Sequence, residues 1–94
     1  MNDSRVVTVE FTKRARQYGY VFWKYRQDDA MAELLGNRDT VNVVFMNANH
    51  GKKKIDWRYR RISLGWRWTR FLPESKKVLI LKMSKPNELE IQCR

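Results

Sequence analysis

The stretch KKKIDWRYRRISLGWRWTR at residues 52–70 contains the strongest structural pattern in this chain. A Trp-Arg-aromatic-x-Arg motif occurs in it twice, at residues 57–61 and 66–70, with Ser63-Leu64-Gly65 between the copies. Aromatic residues favour strands, and a glycine between two such runs can adopt the positive φ of a hairpin turn. The pattern therefore predicts two antiparallel strands joined at Leu64-Gly65, with Arg61 opposite Trp68.

Alternation along these two strands predicts two faces of different character. One face would carry Trp57, Tyr59, Arg61, Trp66, Trp68 and Arg70. The other would carry Arg58, Arg60, Ile62, Arg67, Thr69 and Phe71. Large aromatic side chains of a sheet usually lie in the core, so core packing is the favoured interpretation for most of them. If Trp66 and Trp68 were exposed instead, they would be candidate base-stacking residues.

The positive charge of residues 52–70 indicates an anionic binding partner. The stretch has eight Lys/Arg and one acid, which gives +7 of the chain's net charge of +10. A second basic segment, between Thr12 and Gln27, has five Lys/Arg and no acid. Lys and Arg bind phosphates, while aromatic rings stack on exposed bases. The composition therefore favours a nucleic-acid partner.

From these two segments we predict a small, basic, non-enzymatic nucleic-acid-binding protein. The residues expected to contact phosphates are Lys13, Arg14, Arg16, Lys52, Lys53, Lys54, Arg58, Arg60, Arg61, Arg67 and Arg70. Lys52–Lys54 are expected at a turn. The alternative is a protein-interaction module, an inhibitor or adaptor, that binds an acidic partner through the same stretch, because Trp, Tyr and Arg are also enriched in protein interfaces.

The rest of the chain is rich in predicted strands, at residues 5–12, 18–25, 40–46, 77–83 and 88–93. In the first of these, Val7, Val9 and Phe11 share a face, whereas residues 18–25 are apolar on both faces and suit a strand that is central or covered on both sides. Residues 13–17 are predicted to be a polar link and residues 47–51 a turn. These assignments give one α+β domain over residues 1–94 with about seven strands, forming a strongly curved sheet or small barrel.

One short helix is predicted between Gln27 and Gly36. Acids occupy its first turn, a glycine follows its last residue, and Ala30, Met31, Leu34 and Leu35 form one apolar stripe. Asp28 and Asp29 are interpreted as partners of the helix dipole and its cap rather than as metal ligands.

The layout from Gly19 to Ile55 has a strand, a short helix ending in Leu34-Leu35-Gly36, the segment Asp39-Thr40-Val41-Asn42-Val43-Val44 and a turn. It loosely resembles the swapped-hairpin domain of AbrB-type bacterial transcription regulators. This resemblance implies an intertwined dimer that contacts DNA through arginines on loops. It thus implies a transcription regulator and slightly favours duplex DNA over RNA.

The sequence contains no motif for metal-dependent or nucleophilic catalysis, so we expect no enzymatic activity, no metal and no cofactor. His50, the only histidine, is expected at a surface turn; a general base in a ribonuclease-like reaction is the alternative. Cys93, the only cysteine, is expected to point inward from the last strand or to have no role. A single cysteine suits a reducing, cytoplasmic location. No apolar stretch is long enough to span a membrane, so no membrane partner is expected. The small hydrophobic core favours a homodimer, because self-association would bury more surface.

Overall fold

A computed structural model describes residues 6–65, 72–73 and 75–94. Its strands are β1 (Val6–Glu10), β2 (Tyr20–Phe22), β3 (Thr40–Phe45), β4 (Ala48–Asp56), β5 (Arg61–Ser63), β6 (Val78–Lys85) and β7 (Glu88–Cys93). Its helices are α1 (Lys13–Tyr18) and α2 (Asp28–Leu35), with a short 3₁₀ helix at Tyr25–Gln27. Within the described residues, no helix is long and apolar enough to cross a membrane.

The seven strands form one sheet in the order β1-β6-β7-β3-β4-β5-β2. All neighbours are antiparallel except β3 and β7, which are parallel. The two end strands, β1 and β2, contact each other, so the sheet is nearly closed into a barrel. The predicted α+β class, with about seven strands in a strongly curved sheet or small barrel, is confirmed.

The barrel interior is filled by alternate residues of the strands. Val7 and Val9 of β1 and Leu89, Ile91 and Cys93 of β7 are buried there. The predicted inward face of the first strand and the inward position of Cys93 are therefore confirmed. Alternation predicted these residues correctly because a strand with one buried face must place its apolar residues at every second position.

Helix α2 packs against β1 and β6. Met31, Leu34 and Leu35 are buried, and Gly36 ends the helix in the left-handed region with φ 62°. The predicted helix is confirmed, except that Ala30 lies on the exposed side.

Residues 13–18 form helix α1 instead of the predicted polar link. The Thr12 hydroxyl caps this helix by accepting a hydrogen bond of 3.1 Å from the Ala15 N–H. Gly19 ends it with φ 71°. The helix shortens the next strand to Tyr20–Phe22, and that strand lies at one end of the sheet rather than in its centre.

The predicted strand at residues 57–61 is wrong for residues 57–60, which form the turn between β4 and β5. Ile55 pairs with Ile62 and Asp56 with Arg61 across this turn. The Asp56 carboxylate accepts a hydrogen bond of 3.1 Å from the Tyr59 N–H, and this local bond favours a turn over an extended strand. The second motif copy, residues 66–70, lies outside the described residues.

The turn between β3 and β4 is also shorter than predicted. Only Met46 and Asn47 form it, with φ of 50° and 71°, as in a two-residue hairpin. Strand β4 then begins at Ala48, so Lys52–Lys54 lie within a strand and not at a turn.

The strands and helix of the AbrB-like layout are present as β2, α2, β3 and β4. In this chain β2 pairs with β5, and β3 pairs with β4 and β7.

Candidate functional site

A groove of about 500 Å³ lies where helix α1, the outer face of β2 and the 57–60 turn meet. Its lining is dominated by aromatic and cationic side chains, among them Arg14, Tyr18, Tyr20, Phe22, Tyr59 and Arg61. We call this feature the aromatic groove. It follows the seam between β1 and β2, where the barrel is not closed by a strand ladder.

The groove floor is a row of aromatic rings. Val21 points into the core, so Tyr20 and Phe22, its neighbours on β2, point outward and are half-buried. Their rings meet edge to face at a centroid distance of 5.2 Å. Tyr18, the last residue of α1, is 50% exposed and stacks on Tyr20 at 6.1 Å and 29°. The helix end and the strand thus present three adjacent rings.

Arg61 connects this row to the turn. Its guanidinium carbon lies 4.6 Å from the Tyr20 ring centroid and 5.1 Å from that of Tyr59. Arg58 lies over the same Tyr59 ring at 5.5 Å. Asp56 Oδ2 lies 3.5 Å from Arg61 Nε. Tyr59 itself is 57% exposed, so the alternating rings and guanidinium groups are accessible to a ligand.

The turn that carries Arg58 and Tyr59 is joined to the core and to α2 by a network of hydrogen bonds. Trp23 is 4% exposed, and its indole Nε1 donates a hydrogen bond of 2.9 Å to the Asp28 carboxylate. The same carboxylate accepts from Arg60 Nε at 2.9 Å. Because Asp28 lies in α2 and Arg60 in the turn, one carboxylate joins the helix, the turn and the core.

A second tryptophan supports the same turn. The Trp57 ring packs edge to face on Trp23 at 5.6 Å, and its Nε1 donates a hydrogen bond of 2.6 Å to the Arg38 carbonyl. Trp57 is half-buried against the core. The prediction of a core role holds for this tryptophan, whereas Tyr59 points to solvent.

Two side-chain contacts bridge the seam. Lys24 Nζ lies 2.9 Å from the Glu10 carboxylate, and this hydrogen bond and charge lower the pKa of Glu10. Gln27 Nε2 donates a hydrogen bond of 2.8 Å to the Thr8 carbonyl on the otherwise open edge of β1. These contacts hold β1 beside the 3₁₀ helix and define one wall of the aromatic groove.

Five of the predicted phosphate ligands lie at the groove or on the outer face of β4. Arg14 and Arg61 line it, and Arg58 lies on its turn. Lys52 and Lys54 are exposed on the outer face of β4. Lys53 alternates with them and is half-buried opposite the inward-facing Val41.

Other predicted ligands are used elsewhere. The Arg16 guanidinium donates hydrogen bonds to the backbone carbonyls of Leu72, Pro73 and Lys76. Arg60 is bound to Asp28, and Lys13 lies at the start of α1, away from the groove. Arg67, Arg70, Trp66 and Trp68 lie outside the described residues.

Sequence reasoning missed Tyr18, Tyr20 and Phe22 as site residues. Alternation in the segment YGYVF at residues 18–22 was visible, but aromatic residues on both faces indicated a strand covered on both sides. In the structure only Val21 of β2 is fully buried, and the pairing of β2 with β5, which is distant in sequence, places Arg61 beside Phe22.

His50 lies within β4 and not at the predicted surface turn, and Cys93 is buried in β7. His50 is half-buried in a bulge of β4 and meets the Phe45 ring edge to face at 6.1 Å. Burial, and then the charge of Lys53, lower the pKa of His50. Burial raises the pKa of Cys93. No group of three or more His, Cys, Asp or Glu suited to a metal occurs among the described residues.

The aromatic groove thus combines accessible rings, stacked guanidinium groups and a rigid supporting turn. Comparisons of the chain with protein-family models, with curated proteins and with solved structures found no match. The interpretation of the groove therefore rests on its own residues and geometry.

Proposed function

We propose that this protein binds single-stranded nucleic acid in the aromatic groove. The observation that carries the proposal is the continuous series of rings and guanidinium groups formed by Phe22, Tyr20, Tyr18, Arg61 and Tyr59. Single exposed tyrosines are common on protein surfaces, but adjacent exposed rings in a groove mark an interaction site. Bases have flat faces that stack on such rings whatever their sequence.

The geometry favours unpaired bases over a duplex. Bases in a duplex are stacked on each other, so rings at the bottom of a groove reach them only when they are unpaired. The preference for duplex DNA from the sequence rested on the AbrB-like layout alone. The aromatic groove supports single-stranded RNA or DNA better.

The charges around the groove suit a phosphate backbone. Arg14, Arg58 and Arg61 surround the rings, and guanidinium groups bind phosphate oxygens with two parallel hydrogen bonds. If about three to five phosphates are neutralised, log K against log[salt] should have a slope of roughly −2 to −3.5 for a single strand.

Fluorescence anisotropy with labelled oligothymidylate and oligouridylate tests the proposal. Both should bind more tightly than a hairpin duplex of equal length, and binding should weaken from about 50 to about 200 mM salt. Absence of binding to either oligonucleotide at the lower salt concentration would reject the proposed function.

Two tyrosine variants test the stacking role directly. Tyr18→Ala and Tyr59→Ala should each weaken binding by about 5- to 150-fold, equivalent to roughly 1–3 kcal/mol per stacked base. Tyr25→Ala is the matched control, because Tyr25 is 78% exposed, has Arg60 over its ring and does not line the groove. If polyglutamate competes as well as the oligonucleotides and the tyrosine variants bind normally, the alternative of an acidic protein partner is favoured.

A cytoplasmic location, a role in transcription and homodimer formation are further parts of this proposal. A single buried thiol suits a reducing compartment, and a chain of 94 residues has a small core that self-association would extend. Light scattering of the purified protein, with and without oligonucleotide, measures its oligomeric state. A monomer in both conditions would contradict the dimer.

A further inference from the structure

The pairing of β2, β5 and β4 determines which side chains lie next to one another on the outer face of the sheet, from the aromatic groove to β4. Tyr20 of β2 pairs with Ser63 of β5. Ile62 pairs with Ile55 on β4, so Lys54, one residue before Ile55, is the neighbour of Ser63. Directly opposite residues of antiparallel strands point to the same face. The side chains of Tyr20, Ser63 and Lys54 therefore form one row across the outside of the barrel.

The β4 end of this row is cationic. Lys52 and Lys54 are both exposed, and the residues opposite them on β3 are Asn42 and Thr40, which carry no charge. On β6, across the barrel, the corresponding exposed lysines have acidic neighbours, because Lys82 pairs with Glu90 and Lys85 with Glu88. Lys52 and Lys54 thus have uncharged residues directly opposite them on β3, whereas Lys82 and Lys85 have acids opposite them on β7. Asp56, two residues beyond Lys54 on β4, lies 3.5 Å from Arg61 Nε.

The distances from Tyr20 to Lys54 and Lys52 can be covered by a few nucleotides of a bound nucleic acid. Neighbouring strands are about 4.8 Å apart, so Lys54 lies about 10 Å across the sheet from Tyr20. Lys52 lies about 7 Å farther along β4. At about 3.4 Å or more per nucleotide, at most about five nucleotides beyond the groove cover this path.

We propose that the bound single-stranded nucleic acid leaves the aromatic groove over β5 and continues across β4, where Lys52 and Lys54 bind its phosphates. This inference rests on the proposed function and adds the path and length of its ligand. Short oligonucleotides occupy the groove alone, whereas longer ones also reach the two lysines. Ser63, a small exposed polar residue, lies between Tyr20 and Lys54 on this path.

Binding of oligothymidylates of about 4 and about 12 nucleotides to the full chain tests the path, since single-strand sites typically cover about 4–16 nucleotides. The double variant Lys52→Gln/Lys54→Gln should bind the longer oligonucleotide at least about tenfold more weakly and reduce its salt slope by about 1.4. Its affinity for the shorter oligonucleotide should be within about twofold of wild type.

The double variant Lys82→Gln/Lys85→Gln removes the same charge from exposed positions of β6 and is the control. It should bind both oligonucleotides like wild type. Equal losses for the two double variants, or equal losses for the two lengths, would overturn the proposed path while leaving the groove intact. If Tyr18→Ala also binds normally, or if no oligonucleotide binds to the wild type, the proposed function itself fails and the path fails with it.

Discussion

Replacement of Asp28 by alanine should destabilise the fold and release the 57–60 turn. The Asp28 carboxylate accepts hydrogen bonds from Trp23 Nε1 at 2.9 Å and from Arg60 Nε at 2.9 and 3.0 Å. Trp23 is almost fully buried, so removal of the carboxylate takes away the protein acceptor of its N–H. Arg60 would lose its anchor to α2 at the same time.

The expected loss is about 2–4 kcal/mol of unfolding free energy. A buried donor left without an acceptor costs about 1–3 kcal/mol. The Asp28–Arg60 ion pair adds only about 0–1 kcal/mol, because its side chains are 40% and 34% exposed. The acid also contributes about 0.3–1 kcal/mol by its interaction with the dipole of α2. In a domain of this size the total lowers Tm by about 10–25 °C.

Urea unfolding followed by far-UV circular dichroism measures this loss. Asp29→Ala is the matched control, because it removes a neighbouring exposed acid from the same helix turn and loses only the dipole contribution. Asp28→Asn should fall between the two, since its amide oxygen can still accept from Trp23. If Asp28→Ala lies within about 0.5 kcal/mol of Asp29→Ala, the network does not hold the turn and the reasoning is refuted.

Three further predictions separate structural from functional residues. Arg16→Ala should lose about 1–3 kcal/mol of stability in urea unfolding and keep its oligonucleotide affinity, because the Arg16 guanidinium binds three backbone carbonyls. Arg14→Ala should weaken oligonucleotide binding, with stability within about 0.5 kcal/mol of wild type. The reverse pattern would contradict both assignments. Burial and then the charge of Lys53 lower the pKa of His50 below its ordinary 6.5, so the imidazole is protonated in the unfolded chain at a higher pH than in the folded one. Stability should therefore fall as pH decreases through 6.5, and His50→Gln should remove that part of the pH dependence. An unchanged pH profile of stability in the variant would contradict this prediction. Cys93, buried with a raised pKa, should react with a thiol reagent at pH 8 only at the rate of unfolding, and rapid labelling of the folded protein would show that the strand end is open.

Local patterns in the sequence were sufficient for most of the secondary structure. Val7, Val9 and Phe11 alternate as a strand with one buried face, and Met31, Leu34 and Leu35 follow the helical period before Gly36. Such patterns are reliable because each residue's burial follows from the geometry of its own element. The concentration of positive charge in two segments was equally visible, since net charge requires no knowledge of contacts.

The strand predicted at residues 57–60 was wrong because the contacts of these residues favour a turn. Two copies of a Trp-Arg-aromatic-x-Arg motif suggested paired strands, but the bond from Asp56 to the Tyr59 N–H and the Trp57 ring on Trp23 favour a turn at residues 57–60. The second of these contacts joins residues far apart in sequence. Local strand propensity is weaker than such packing.

The candidate site was decided by the tertiary structure. Composition predicted a basic, aromatic surface, but Arg14 reaches the groove while Arg16, two residues later, points to backbone carbonyls in the segment before β6. Tyr20 and Phe22 lie beside Arg61 only because β2 pairs with β5. The sequence by itself determined which residues are apolar, charged and extended. Only the pairing of distant strands decided which of them share a surface, because a strand's neighbours depend on closure of the whole sheet and not on its own residues.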